Sequence, residues 1–126
     1  MTTIAAPQLG REPDMTHPIS DDDMRRALAG TKEYTLVILS AGPRYGSAEA
    51  PPLVWEHGRR NFTLRAEGVL NIVCPVTDDT TTCGVGILDT DLETAHRLMS
   101  QDPAVEAGVF TFALHPVRSF PGDRLA

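Results

Sequence analysis

The side chain best suited to proton chemistry is His57, inside the stretch LVWEHGRRNFTLRAEGVLNIVCP that runs from Leu53 to Pro75. Imidazole titrates near neutral pH, so a histidine held in a pocket can both take and give a proton. At about 100° per residue on a helix, His57 and Asn61 lie one turn apart and point with Leu53, Val54, Trp55, Gly58, Phe62, Leu64 and Ala66. Glu56, Arg59, Arg60, Thr63 and Glu67 take the other side. A packed histidine near a helix start fits the same position, and periodicity does not separate the two readings. Asn61 and Arg65, one and two turns beyond His57, can orient an anionic or carbonyl substrate, although a long Arg can equally snorkel from an apolar face. Arg44 and Tyr45, in the loop before the helix, suit either a pocket lid or a plain solvent loop.

Asp102 directly precedes Pro103. Asp before Pro is a good helix N-cap, with Pro at the first helical position, and the second carboxylate oxygen stays free for another bond. The cysteines, Cys74 and Cys83, form no CxxC or Cys/His ligand spacing, and His17, His96 and His115 add none, so no metal site is expected. Nothing around Cys74 in the sequence marks an activated nucleophile. A hairpin centred between Asp78 and Asp79 would set Cys74 opposite Cys83 as two small hydrophobes on one sheet face.

These residues are carried by a chain of 126 residues, enough for one domain with a modest core. The net charge is -6 and Lys32 is the only lysine, which disfavours nucleic acid and anionic membrane surfaces as partners. No apolar run approaches the ~20 residues of a membrane span. The start, MTTIAAPQLGREPDMTHP, has neither the basic nor the apolar part of a secretory signal, so a cytoplasmic location with reduced cysteines is expected.

Residues 1–19 read as an arm. Ser20 can cap a short peripheral helix through DDDMRRALAG, with its acids in the first turn and Gly30 closing it. YTLVILS (34–40) is a strand, AGPRYGSAEAPP a loop, and the His57 helix ends at Gly68. VLNIVCPV and CGVGILD are strands joined by TDDT. Alternation places Cys83, Val85 and Ile87 with Leu70, Ile72, Cys74 and Val76 on the face under the helices. Gly84, Gly86 and Leu88 then mark an open face, approached closely by a ligand or a second subunit. Thr90-x-x-Glu93 has capping-box spacing before the stripe Leu92, Ala95, Leu98 and Met99, and VFTFALHPV (109–117) is the last strand. The expected organisation is an arm with a peripheral helix (1–32), a folded domain (33–118) and a tail (119–126). The order strand, helix, strand, strand, helix, strand predicts an α+β, ferredoxin-like antiparallel sheet with both helices on one face.

Three segments carry a resemblance: YTLVILSAGP with WEHGRRNFTLRAEG, GVLNIVCPVTDD, and DPAVEAGVF before the last strand. Over roughly Tyr34–Val117 the chain resembles the YciI-like (YCII-related) family, with Cys74 standing where that family usually has Gly. The resemblance implies a homodimeric α+β barrel whose pocket uses a His and an Asp as acid and base, here His57 and Asp102, with no cofactor. It implies elimination or isomerisation of a small carbonyl or ring compound. A non-catalytic small-molecule-binding or regulatory module and a cofactor-free oxygenase are the alternatives.

Overall fold

The computed structural model describes residues 12–126. The chain divides into two compact units, one ending at Gly30 and the other spanning Thr31–Ala126. Of the expected arm, residues 1–11 lie outside the described residues, and residues 12–19 are exposed, with no helix or strand. Helix α1 (Asp21–Ala29) starts where the sequence predicts. The Ser20 hydroxyl accepts from the Asp23 N–H, three acids occupy the first turn, and no residue of the helix is buried.

The second unit runs β1 (Lys32–Ala41), α2 (Ala50–Ala66), β2 (Leu70–Pro75), β3 (Thr82–Leu88), α3 (Leu92–Ser100), α4 (Pro103–Glu106) and β4 (Phe110–Ser119). Its four strands form one antiparallel sheet in the order β2-β3-β1-β4. This α+β architecture is broadly consistent with the ferredoxin-like expectation. Strand β4 reaches Ser119, which pairs with Lys32, so the strand takes in the first residue of the expected tail.

Local chemistry sets the boundaries. Helix α2 begins at Ala50, earlier than the loop AGPRYGSAEAPP implied, because Pro51 and Pro52 fit a first turn whose N–H groups need no helical partner. It ends at Gly68 (φ 77), where the Gly68 N–H reaches the Arg65 carbonyl and the Val69 N–H the Leu64 carbonyl. Helix α3 is capped by Asp91 rather than Thr90: the Asp91 carboxylate accepts from the Thr94 N–H at 2.8 Å. Asp is the stronger cap, and the Thr90 carbonyl instead accepts the Thr35 hydroxyl at 2.9 Å. Helix α4 is capped by Asp102, as expected, and closes at Gly108 (φ 79) with the same pair of bonds that ends α2.

The sheet faces are the reverse of the alternation reading. Thr35, Val37 and Leu39 pair with Leu88, Gly86 and Gly84, and these residues are buried with Ala95, Met99 and Ala104 of the helices. Gly84, Gly86 and Leu88 therefore lie under the helices, and what approaches Gly86 is the core itself. A Cβ there would stand 3.1 Å from Val37 Cγ1 and 3.2 Å from Leu70 Cδ1. Leu36, Ile38, Val85 and Ile87 take the other face and are half-buried. The misreading comes partly from a bulge. The β2 register shifts between Leu70 and Ile72, so Leu70 and Val73 face the helices while Ile72 and Cys74 face away.

The cysteine register is corrected as well. Cys74 pairs with Val85, and the Cys83 carbonyl accepts from the Val76 N–H. The two cysteines are diagonal, roughly 7–8 Å apart by sheet geometry, not opposite, and both are free thiols. Asp78 explains the shift: its carboxylate accepts from both the N–H and the hydroxyl of Thr80, moving the bend one residue along.

Candidate acid/base site

His57 and Asp102, 45 residues apart in sequence, meet where α2 passes the cap of α4. Asp102 Oδ2 accepts from His57 Nδ1 at 2.7 Å, while Oδ1 accepts from the Ala104 N–H at 2.9 Å. The carboxylate thus caps a helix and holds the imidazole at once. Asp102 has 0% exposure and His57 9%, so the bond is shielded from water on the Asp side and reachable from the His side. The ring packs on Phe110 with centroids 4.9 Å apart. Its second nitrogen, Nε2, lies 3.2 Å from the Asn61 amide nitrogen. A neutral ring with its proton on Nδ1 satisfies both neighbours: it donates to Asp102 and accepts from Asn61. An imidazolium requires the Asn61 amide to turn its oxygen to Nε2.

Burial is the largest influence on Asp102 and opposes its ionisation. The hydrogen bond and charge of His57, with the backbone N–H groups of Ala104 and Val105, act the other way and together prevail, so the carboxyl lies below the usual Asp range.

His57 borders a cleft of about 1340 Å³ between α2 and the β2–β3 half of the sheet. Its walls are mainly apolar, with Tyr45, Val54, Trp55 and Phe62 on one side and Val73, Pro75 and Gly84 on the other. Helix α2 does not bury its whole apolar side as the wheel suggested. Ala50 and His57 are its buried residues, whereas Trp55 is 70% and Phe62 66% exposed. The cleft exists because α2 leans on α4 and the sheet through Ala50, Leu53, His57 and Leu64, leaving the adjacent apolar stripe unpaired.

The sequence-derived site residues separate into two groups. His57, Asp102 and Asn61 are bonded together, and Tyr45 lines the cleft. Arg44 instead forms an ion pair with Glu49. Arg65 lies outside this cleft, with its guanidinium 5.3 Å over the Phe62 ring. Reading the wheel also missed Arg60, assigned to the charged side. Its Nη1 stands 4.0 Å from Asp102 Oδ2. The signal was its spacing, i+3 from His57, which places it on the same flank of the helix.

Among the described residues, no group of three or more His, Cys, Asp or Glu is arranged to hold a metal ion, and no helix is long and apolar enough to cross a membrane. No protein-family model and no curated protein sequence matches the chain.

Proposed function

We propose that this chain is a cofactor-independent enzyme that moves a proton on a small, largely apolar carbonyl or ring compound, in an elimination or isomerisation. One observation carries the reading: a fully buried carboxylate, hydrogen-bonded at 2.7 Å to a histidine that opens on an apolar cleft. Asp102 fixes the proton on Nδ1 and stabilises the imidazolium that forms when Nε2 takes a proton from the substrate. Asn61 leaves Nε2 as the substrate enters, and its amide is then free to hold a substrate carbonyl. His57 returns the proton to the product or to the leaving group. A substrate that fills the cleft displaces water from around Nε2 and so strengthens the charge interactions there.

In this reading the protein is a cytoplasmic homodimer of the YciI-like type, a dimeric α+β barrel. The half-buried apolar face of Leu36, Ile38, Ile72, Val85 and Ile87 supports sheet-to-sheet pairing there, rather than through Gly84, Gly86 and Leu88. A small domain gains core by such pairing.

The test is deuterium exchange. A panel of cyclic and aliphatic ketones, enols and halogenated ring compounds is incubated in D2O, and exchange or elimination is followed by NMR. Activity should vanish in both His57→Ala and Asp102→Asn, and the double variant should lose little more, because residues acting as a unit are non-additive. The second reading, a non-catalytic binding module, is favoured by the Asn61 amide that occupies Nε2. It predicts ligand binding by thermal shift with no exchange, and binding that survives Asp102→Asn.

A further inference from the structure

A partly buried cation stands behind the dyad: the Arg60 side chain is 23% exposed. Arg60 Nη1 is sealed from solvent and has no hydrogen-bond partner among the described residues. It lies 4.0 Å from Asp102 Oδ2, the same oxygen that accepts from His57 Nδ1. Arg60 does not line the cleft, so it does not meet a ligand there directly.

A buried carboxylate is costly without an opposite charge nearby. His57 supplies that charge only while it is protonated. A general base must begin its cycle neutral, and in that state the His57–Asp102 pair alone carries an uncompensated negative charge. A guanidinium stays charged at every working pH. We propose that Arg60 is the standing counter-ion of Asp102, a positioning residue that keeps the carboxylate ionised through both the neutral and the charged states of His57. The proposal deepens the acid/base reading of the site and rests on it for its functional meaning.

Arg60 also opposes the imidazolium. Asp102 attracts a proton to His57, and Arg60, facing the same carboxylate, offsets part of that attraction. The groups that meet His57 are Asp102 from the α4 cap, Asn61 from its own helix and the uncharged Phe110 ring from β4, and Arg60 stands across Asp102 Oδ2 from it.

The experiment is an NMR titration of the His57 ring in the full chain, as wild type, Arg60→Met and Arg60→Lys. Arg60→Met should raise the His57 midpoint by about half a pH unit or more, a part of the shift of about one unit that a charge directly beside a group exerts. Arg60→Lys, which keeps the charge, should stay within about 0.3 unit of wild type. An unmoved midpoint in Arg60→Met overturns the proposal, and so does an equal shift in both variants, which would be geometric rather than electrostatic. If Arg60→Met does not fold, the wild-type Arg60 guanidinium resonances decide. They should titrate with the His57 midpoint, and their indifference to it overturns the proposal. No substrate enters these measurements. A shifted midpoint with no turnover anywhere in the panel would leave the counter-ion standing and the enzyme reading refuted; turnover with an unmoved midpoint would do the reverse.

Discussion

Truncating Asp102 to Ala removes three things at once: the cap of α4, the partner of His57 Nδ1 and the negative charge facing Arg60. A lost cap costs about 1 kcal/mol. Breaking a buried charged pair by removing one partner costs about 3–5 kcal/mol, because the other group is left uncompensated. The two overlap, since both count donors left without an acceptor, so the expected loss for Asp102→Ala is about 3–5 kcal/mol. Asp102→Asn differs in kind. Its amide oxygen can keep the Ala104 N–H, and the loss is that of a charge-assisted bond becoming a neutral one, about 1–2 kcal/mol. Urea denaturation at pH 7 measures both. The pH dependence supplies an independent check. The Asp102 carboxyl lies below the usual range in the folded protein, so the unfolded chain is the state that binds more protons in acid. The contribution is therefore complete above the unfolded value of about 4 and is lost as pH falls through the folded value. The stability gap between wild type and Asp102→Asn should narrow as pH falls below about 4. A loss under about 1 kcal/mol for Asp102→Ala, the scale of an ordinary surface change, would refute the reasoning. So would a gap to Asp102→Asn that is unchanged in acid.

Other expectations follow from single contacts. Gly58→Ala places a methyl in open space on α2 and should raise stability by about 0.5–1 kcal/mol; if the cleft is the ligand site, the same change should weaken ligand binding, which thermal shift with and without ligand would separate. Thr35→Val deletes the hydroxyl that donates to the Thr90 carbonyl and should cost about 0.5–1.5 kcal/mol, read by urea denaturation. If the apolar face of Leu36, Ile38, Val85 and Ile87 pairs two copies, the melting temperature should rise with protein concentration, and sedimentation of a monomer at micromolar concentration would exclude the pairing. Cys74 and Cys83 should both react as thiols in native protein, with no internal disulfide on a non-reducing gel, because a diagonal pair at roughly 7–8 Å exceeds disulfide reach.

The elements were legible because their causes are local. Ser20, Asp102 with Pro103, Gly68 and the β-branched run of β1 each act within a few residues of where they stand, whereas Pro51 and Pro52, equally local, were read as loop although they open α2. The turn of His57 toward the interior was legible too, since a helix wheel is also local. Its meeting with Asp102 was not readable from spacing. It came from the family resemblance, and the dual role of Asp102 as cap and partner appears only when α2 and α4 are packed together.

What the sequence determined by itself is the order and kind of the helices and strands and several of their ends, since capping and left-handed glycine are satisfied by neighbours in the chain. Only the tertiary structure decided which face of the sheet meets the helices and which flank of α2 finds a partner. One extra residue in β2 sends Leu70 inward and Ile72 outward, and one Asx turn at Asp78 moves Cys74 from Cys83 to Val85. Packing against α4 turns Arg60 from the charged side of its helix to the back of Asp102, and leaves Trp55 and Phe62 open along the cleft. Alternation carries no information about bulges or about which flank of a helix finds a partner. Those are settled by long-range packing, where the free energy of filling the core outweighs the local pattern.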